Sequence, residues 1–497
     1  MRRFAFLVAS MLALAGCDRR SDQGAVVVSA IGGAPKLADS SLGPADLPSR
    51  LLRNATAQGL VRFDASGQIE PGIAERWTVI DNGMSYIFRL RDAEWGNGRQ
   101  VAAGDQVTAG EQVTAGEVVA VLRRQIAPRS HNPLLPFLSA IDEIVEMTPE
   151  VIEVRLKHPR PDLLKLFAQP EMAVFRIGPP AGGSGPFRII GTARDGFILG
   201  PAVDPDRSPD DESAKPGPEA NVQLIGERAS RAIARFAARK SDLVSGGTFV
   251  DWPLLKFSGV APANQKIDPA AGLFGLAIAN RDGFLGDPDN RAAVARTIDR
   301  QAITGAFTNI WAATNQLLPE QLDSASPPAA ASWLAPLGPT DLSPGARVAA
   351  WRKIHNGPLF LRVALPAGPG ATRLYGFVAT GLRNIGIEPV RVAMNDEADL
   401  RLVDAVAPYD SARWYLATAC QPCGADAQAA LEAAREAPDT ASRARHIAEA
   451  DAALASDISY IPIARPLRWS LVALRLTEWQ GNSRAWHPLN HLRGDTR

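Results

Sequence analysis

The local motif with the most evident chemistry is a pair of cysteines three residues apart. Cys420 and Cys423 enclose Gln421 and Pro422. At a helix N-terminus such a pair can have a lowered thiol pKa and exchange disulfides, as a thiol-disulfide oxidoreductase requires. That class of enzyme places the motif after the first strand of a βαβ domain, whereas here it follows Trp414 late in a long chain. In an exported protein such cysteines more often form a local disulfide, which we predict between Cys420 and Cys423.

The histidines form no recognisable catalytic or metal-binding motif. His487 and His491 stand close together, but Pro488 opposes the helix that would align them, and no cysteine or carboxylate cluster accompanies them. The chain contains 6 scattered histidines and has no G-x-S-x-G, Walker A or H-E-x-x-H motif. We therefore predict no catalytic residues, no cofactor and no metal site. The sequence favours a protein that binds without catalysing a reaction.

One stretch near the end of the chain combines aromatic and charged residues as a binding cleft does. Such clefts have aromatic walls and a few fixed polar groups. Within residues 404–423 we predict four ligand-binding residues, Tyr409, Asp410, Trp414 and Tyr415. The alternative that Trp414 and Tyr415 are core residues stays open at this point, because large aromatic side chains are commonly buried.

Length and charge set the class of protein. With 497 residues the chain is long enough for two or three domains, because a single hydrophobic core stops growing well below this size. Lys and Arg together number 53, as do Asp and Glu, so the net charge is zero. No extended basic run is present, and the composition therefore gives no reason to expect a nucleic-acid partner.

The N-terminus has the features of a bacterial export signal. Arg2 and Arg3 precede an apolar segment, residues 4–15, that is too short to span a membrane. The tetrapeptide 14–17, Leu-Ala-Gly-Cys, resembles the lipobox of lipoproteins, in which the cysteine is lipidated. We therefore predict a signal peptide over residues 1–16, a lipid anchor on Cys17 and a tether over residues 17–24. Asp18 resembles the residue that retains many lipoproteins on the periplasmic side of the inner membrane. The alternative is an ordinary signal peptide with a chance cysteine.

A strong β-hairpin signal organises the first third of the chain. Apolar and polar residues alternate from Trp77 to Val79 and again from Tyr86 to Leu90, and Asn82-Gly83 between them favours a two-residue turn. A second hairpin is predicted around Thr148-Pro149.

Other segments have equally local signals. Residues 25–30 (AVVVSA) and 272–280 predict buried strands, and residues 47–58 predict a helix. Thr114 and Glu117 have the spacing of a capping box that begins a helix, after a tandem copy of six residues over 104–115. A strand, a helix and a strand from 359 to 392 predict a βαβ unit with parallel pairing. The proline-rich stretch 201–218 is expected to be a disordered or loosely held loop, and the proline-rich stretch 319–344 a surface loop. Asp289-Asn290 predicts the start of a helix that carries Val294, Ile298 and Ala302.

The order of residues around the first hairpin resembles that of a known family. Residues 71–77 read Pro-Gly-x-Ala-Glu-x-Trp, and the Asn-Gly hairpin, a Phe-x-Leu-Arg strand at 88–91 and a Trp-x-x-Gly loop at 95–98 follow. This order is similar to that of the family 5 solute-binding proteins of bacterial ABC importers, the oligopeptide- and dipeptide-binding class. Residues 184–187 (SGPF) and 289–303 (DNRAAVARTIDRQAI) resemble two further elements of the same family.

The resemblance implies an α/β, two-lobed fold of the periplasmic-binding-protein type (type II, cluster C-like) with an extra domain inserted in the first lobe. The first lobe would comprise residues 25–53, 184–273 and 466–497, the inserted domain residues 54–183 and the second lobe residues 274–465. Arg281, just after the strand that crosses into the second lobe, is then a further ligand-binding candidate on position alone. In the oligopeptide binders an Asp shortly after a Trp pairs with the peptide's amino terminus. Here Ala-Thr-Ala-Cys stands at that place, and Asp410 is the candidate substitute.

The resemblance also implies a function. The protein would be a monomeric, extracytoplasmic component of an ABC importer that binds a small molecule or a peptide between its lobes and delivers it to permease and ATPase subunits in the membrane. Ligand would stabilise a closed form by hinge closure, with no chemical step. Two alternatives remain: a periplasmic thiol-disulfide oxidoreductase that uses Cys420 and Cys423, and a receptor-like lipoprotein that has lost transport. The second is suggested by the absence, near residues 201–218, of the family's Asn-x-x-Tyr-Trp segment.

Overall fold

A computed structural model describes residues 24–96, 111–176, 182–202 and 217–493. The predicted signal peptide, Cys17, most of the tether, the first copy of the tandem repeat and most of the stretch 201–218 lie outside the described residues. Within the described part of the chain, no helix combines the length and the apolar character needed to cross a membrane.

A seven-stranded mixed sheet is built around the predicted N-terminal strand. Val26–Ile31 is β-branched and almost wholly buried, and it pairs in parallel with the strands on both of its sides. A strand that is covered on both faces needs apolar residues at nearly every position, which is what this run provides. The strand order is Phe187–Ala193, Gly196–Pro201, Val222–Glu227, Val26–Ile31, Leu243–Thr248, Arg468–Val472, Gln265–Ile267.

A five-stranded sheet contains the predicted βαβ unit. Leu359–Ala364 and Ile387–Val392 pair in parallel, and the helix Pro369–Asn384 connects them, so the prediction is confirmed. Gly386, with a φ of 89°, follows the helix and reverses the chain into the second strand. The strand order is Ile387–Val392, Leu359–Ala364, Leu400–Val406, Gly272–Ile278, Tyr460–Ala464.

A four-stranded antiparallel sheet is formed by the two predicted hairpins, in the order Ala74–Ile80, Ser85–Leu90, Val151–Leu156, Ile141–Thr148. Both hairpins are confirmed, but the predicted two-residue turn of the first one is wrong. Ile80 pairs with Ser85, so four residues connect the strands. Asp81, Asn82 and Gly83 all have positive φ, at 51°, 55° and 87°. Asp tolerates this conformation, which allows the turn to begin one residue before Asn82.

The helices pack beside these sheets. Their bounds are Leu47–Thr56, Ala115–Ile126, Leu163–Phe167, Ala229–Ala237, Trp252–Leu255, Pro288–Thr297, Arg300–Phe307, Pro344–His355, Pro369–Asn384, Ala412–Ala419, Ala425–Glu436 and Thr440–Asp457. The helix Pro344–His355 was not predicted, because the prolines before it indicated a surface loop.

One predicted helix is broken in two. The sequence indicated a single helix, capped at Asp289-Asn290, that carries Val294, Ile298 and Ala302. Instead, Ile298 takes an extended ψ of 105° and ends the first helix. Asp299 then caps the second helix by accepting a hydrogen bond from the backbone N–H of Ala302. The break is stabilised because the Arg300 guanidinium donates to the carbonyls of Ala295 and Ile298 at 3.1 and 2.9 Å.

The capping box at Thr114 is present as predicted, with the Thr114 hydroxyl and the Glu117 carboxylate each bonded to the other residue's backbone N–H. We expect Thr114→Ala to destabilise the first turn of the helix Ala115–Ile126 by about 1 kcal/mol, because one cap acceptor is lost. Hydrogen exchange of that turn should accelerate about fivefold. Thr114→Ser keeps the hydroxyl oxygen and should exchange like the wild type. Equal exchange in the alanine and serine variants would contradict the prediction.

The chain crosses between the seven-stranded and five-stranded sheets twice. One crossing is formed by residues 268–271 and the other by residues 465–467. The N–H of Asp268, in the first crossing, donates to the carbonyl of Arg468, which directly follows the second crossing, at 3.0 Å. The C-terminal segment 482–487 packs against the first crossing, where the N–H of Ala271 donates to the carbonyl of Ser483 at 2.8 Å. The two sheets and this segment therefore face each other across a shared seam.

Candidate ligand-binding site

A cavity of about 450 Å³ lies at this seam and has walls from all three parts of the fold. Its volume is within the range of small-molecule sites in proteins. The walls come from the seven-stranded part with the segment 482–487, from the region beside the four-stranded sheet, and from the end of the strand Leu400–Val406 with the helix Ala412–Ala419. They comprise Leu47, Arg50, Gly246, Thr248, Arg468, Arg484, Ala485 and Trp486; Phe63, Pro133, Leu134, Phe137, Gln169 and Glu171; and Val406, Ala407, Pro408 and Trp414.

Aromatic rings from different parts of the chain line the cavity. Trp414 comes from the helix Ala412–Ala419, whose first turn is held by Asp323: its carboxylate accepts from the N–H of Ala412 at 2.7 Å and from the hydroxyl of Ser411 at 2.8 Å. Phe137 and Trp486 contribute two further rings. These three aromatic rings, which come from three separate segments of the chain, therefore line the cavity together.

Three arginines line the cavity, each paired with a carboxylate. Arg50 is paired with Glu171, and Arg468 with Asp404 at 2.8 Å. Arg484 is paired with Asp410, its side chain being only 4% exposed. Glu171 lines the cavity itself, whereas Asp404 and Asp410 lie behind the lining residues, and together the three carboxylates balance the three arginines.

Asp410 connects three parts of the fold, although it does not line the cavity. Its carboxylate binds Lys165, from the helix Leu163–Phe167, and Arg484, from the C-terminal segment. Burial raises the pKa of Asp410, but the hydrogen bond from Lys165 and the charge of Arg484 outweigh it, and the pKa lies below its ordinary value. Gln169 adds a bond of 2.7 Å to the carbonyl of Pro408. This set of contacts holds the cavity closed on one side.

The structure brings together most of the predicted ligand-binding residues. Trp414 lines the cavity and Asp410 binds the lining residue Arg484. Tyr409 is 5% exposed and packs edge-on against the lining residue Phe137 at a ring distance of 6.0 Å. Tyr415 is 1% exposed, with burial raising its pKa to about 12. Tyr415 thus fits the core alternative, and the binding roles of all four residues stay predictions.

Arg281 lies apart from this cavity. Its guanidinium binds the carboxylate of Asp457, with one bond of 2.8 Å, and Asp457 also accepts from Arg291 at 2.7 Å. The charge of Arg281 is therefore balanced by Asp457. Its position just after the strand Gly272–Ile278 does not bring it close to the other candidate residues.

Sequence reasoning missed the lining residues of the C-terminal segment. Arg484 and Trp486 stand two residues apart, beside a histidine, in a region without helix or strand signals. An arginine close to a tryptophan in a segment without helix or strand signals is typical of a binding site, and this pattern could have indicated Arg484 and Trp486. Asp410, the partner of Arg484, is 74 positions away in the chain, and no local pattern indicates this pairing.

The cysteines and histidines have structural partners. Cys420 and Cys423 form a disulfide between the helices Ala412–Ala419 and Ala425–Glu436. His487 faces Asp268 at 3.2 Å, and His491 faces Glu70 at 2.8 Å. These two histidines thus point to different carboxylates, and the described residues contain no group of three side chains that could hold a metal ion.

Comparison with solved structures establishes the fold. OppA of Haemophilus influenzae in complex with RPPGFSPFR superimposes with a TM-score of 0.71 at 16% identity, covering 96% of this chain and 99% of that chain. DppA from Helicobacter pylori in complex with the peptide STSA gives a TM-score of 0.68 at 16% identity, covering 93% and 97%. These are two-lobed periplasmic binding proteins, so the predicted fold class is confirmed.

Among curated proteins, the probable deoxycholate-binding periplasmic protein YgiS of Escherichia coli K12 is 31% identical over 100 residues. That segment is 18% of this chain and 16% of YgiS. The similarity is thus confined to a small part of each protein.

The family of the chain follows from a sequence match over most of its length. The description "Bacterial extracellular solute-binding proteins, family 5 Middle" matches residues 68–394. Proteins of this family are extracytoplasmic transport components without enzymatic activity, which excludes the oxidoreductase alternative for Cys420 and Cys423. By this match and by its two-lobed fold, the chain belongs to the family 5 bacterial extracellular solute-binding proteins.

Proposed function

We propose that the protein binds a short peptide, or a solute of similar size, between its lobes and delivers it to the permease and ATPase subunits of an ABC importer. One observation carries the proposal: the cavity of about 450 Å³ has walls from both sheets that the chain crossings connect. A peptide is the favoured class because OppA of H. influenzae and DppA of H. pylori were solved with RPPGFSPFR and the peptide STSA.

Hinge closure is the mechanism that this arrangement supports. Trp414 lines the cavity from the five-stranded side, and Thr248 and Arg468 line it from the seven-stranded sheet. A ligand that contacts both sides gains those contacts only in the closed form, so it shifts the population towards closure. Permease subunits could then recognise the closed form, and no chemical step is needed.

We further propose the domain limits and the anchor. Residues 25–53, 184–273 and 466–497 form the first lobe, 54–183 the inserted domain and 274–465 the second lobe, acting as a monomer. Lipid on Cys17 tethers the protein to the periplasmic side of the inner membrane. Cys17→Ser should therefore release the protein into the soluble periplasmic fraction, as measured by immunoblotting of separated membranes. A variant that stays in the membrane fraction would contradict the anchor but not the ligand proposal.

Thermal unfolding in the presence of candidate ligands tests the proposed function. At a free ligand concentration of 100 times Kd, binding should stabilise the protein by about 2.7 kcal/mol. Mixed di- to pentapeptides are compared with deoxycholate, which the name of YgiS suggests. Trp414→Ala should weaken the stabilisation, whereas Phe257→Ala, an 85% exposed ring that does not line the cavity, should not. If peptides give no stabilisation, the peptide proposal is wrong, and stabilisation by deoxycholate alone would assign a different solute.

A further inference from the structure

We propose that the edge of the seven-stranded sheet at which the N-terminal tether ends lies on the anionic surface of the membrane. We call this region, which presents Lys240, Lys256, Phe257 and Leu474, the docking edge. The inference goes beyond ligand binding, and it rests on the proposed lipid anchor at Cys17 for the position of the edge. The experiment below removes that anchor, so that the two proposals can fail separately.

The described chain begins at the docking edge and is held there by Arg475. Its guanidinium donates to the carbonyls of Gly24 at 3.4 Å and Ala25 at 3.1 Å, and it is paired with Asp242 at 2.7 Å. The eight residues from Cys17 to Gly24 can span at most about 29 Å, because an extended chain covers at most about 3.6 Å per residue. A lipid on Cys17 therefore keeps this edge close to the bilayer.

The docking edge exposes two large apolar side chains. Leu474 is 78% exposed, and Phe257 is 85% exposed. Phe257 stands between Leu255 and Val260, which pack in one apolar cluster with Ala473, the neighbour of Leu474. The two exposed side chains therefore belong to one region of the surface. Exposed apolar side chains that occur together are typical of surfaces that contact a protein or a membrane.

The charges of the docking edge are positive. Lys240 stands two residues before Asp242, and Lys256 directly precedes Phe257. Both lysines are exposed, and the described residues contain no carboxylate that pairs with either side chain. Three segments form the edge, and together they contain three cations and no carboxylate: residues 237–241, 256–264 and 473–474. Lysines beside exposed phenylalanine and leucine are suited to a membrane surface, because anionic headgroups attract the charges while the apolar side chains enter the interface.

Docking in this way turns the ligand cavity away from the bilayer. The strand Leu243–Thr248 begins at the docking edge, and Thr248 at its far end lines the cavity. Arg468 lines the cavity at the start of the strand Arg468–Val472, whose other end leads to Leu474. The docked form therefore presents the cavity to the solution from which ligand is collected.

Vesicle binding of the unanchored protein tests the inference. The chain from Asp18 to Arg497 lacks the predicted signal peptide and the anchor but contains every described residue. It is mixed with phosphatidylcholine vesicles that contain either no phosphatidylglycerol or about one third phosphatidylglycerol, and flotation measures the bound fraction. We expect the affinity for the anionic vesicles to be at least about tenfold higher, and to fall as the salt concentration rises.

Paired substitutions locate the contact. Lys256→Glu combined with Phe257→Ser, and Lys240→Glu combined with Leu474→Ser, should each weaken binding to anionic vesicles at least about tenfold. All four side chains are exposed, so the thermal midpoint of each variant should equal that of the parent chain.

Lys353→Glu combined with Ile354→Ser is the matched control. It alters a neighbouring pair of the same kind, an exposed lysine and a 75% exposed apolar residue, on the helix Pro344–His355 beside the five-stranded sheet. Its vesicle binding should equal that of the parent chain. Equal binding to neutral and anionic vesicles, binding to neither, or an equal loss in the control and the docking-edge variants would overturn the inference. None of these results bears on the anchor, which fractionation of Cys17→Ser tests, or on ligand binding, which thermal unfolding tests.

Discussion

Asp457→Asn is expected to lower the free energy of unfolding by about 3–5 kcal/mol, because it removes the anion from a buried cluster of cations. The Asp457 carboxylate binds Arg281, Arg291 and the hydroxyl of Ser459. The Arg291 side chain is 1% exposed and also donates to the backbone carbonyls of Leu285, at 2.7 Å, and of Asp457 itself, at 2.8 Å. Asparagine leaves two guanidinium charges with no counter-charge at this position.

The same cluster predicts a pH dependence. Burial raises the pKa of Asp457, but hydrogen bonds from Arg281 and Ser459 and the charge of Arg291 outweigh it, so the pKa lies below the ordinary value of 3.8. A carboxylate with a lowered pKa in the folded state stabilises the fold above its unfolded pKa. That stability is lost as the pH falls through the lowered value, and Asp457→Asn should therefore show less of this acid-induced loss than the wild type.

Urea unfolding between about pH 2 and pH 7 measures both effects. For an unfolding unit of about 200 residues, a loss of 3 kcal/mol corresponds to a thermal midpoint lower by roughly 6–12 °C. The control is Asp289→Asn, since Asp289 pairs with Arg347 at the surface with a side chain 67% exposed, and such pairs contribute at most about 1 kcal/mol. A loss in Asp457→Asn no larger than in the control would show that the cluster is not stabilising.

The elements that the sequence predicts correctly are those whose signals are local. The βαβ unit, both hairpins and the Thr114 capping box each depend on residues within a few positions of one another or on one period of alternation. Predictions were wrong where a residue distant in sequence, or the backbone conformation of a single residue, determined the local structure. The helix break at Ile298 is an example, because Arg300, which satisfies the exposed carbonyls, also donates to the carbonyl of Pro462, 162 positions away.

The candidate site follows the same rule. Trp414 was found because aromatic and charged residues cluster around it, and such clusters are typical of binding clefts. Arg484 and Trp486 were missed because the C-terminal segment is placed at the cavity by residues distant in sequence, among them Asp268 and Ala271, over 200 positions earlier in the chain. Arg281 was a candidate by position alone, and its partner Asp457 is 176 positions away. Which charges are free for a ligand is thus a property of the tertiary structure.

Asp410→Asn is expected to open the cleft, because Asp410 is the anion that joins Lys165 to Arg484. Arg484 would keep its bond of 2.9 Å to the carbonyl of Ala407 but lose its counter-charge in a buried setting. Truncating one partner of a buried, hydrogen-bonded charge pair costs about 2–5 kcal/mol. We place this variant at the lower end, about 2 kcal/mol, because the Asp410 side chain is 42% exposed and solvent screens part of the interaction.

A cost of about 2 kcal/mol lowers the ratio of closed to open forms about thirtyfold, and the apparent affinity for a ligand that binds only the closed form falls by up to the same factor. Small-angle scattering should give a larger radius of gyration for Asp410→Asn without ligand, and hydrogen exchange near Tyr409 should accelerate. Glu397→Gln, which alters a 90% exposed carboxylate paired with Arg362, serves as the control and should leave both unchanged.

Because the pKa of Asp410 is lowered, the wild type should keep its closed form at neutral pH and open only as the pH falls below about 3.8. An unchanged radius together with unchanged exchange would show that these two ion pairs do not hold the lobes together.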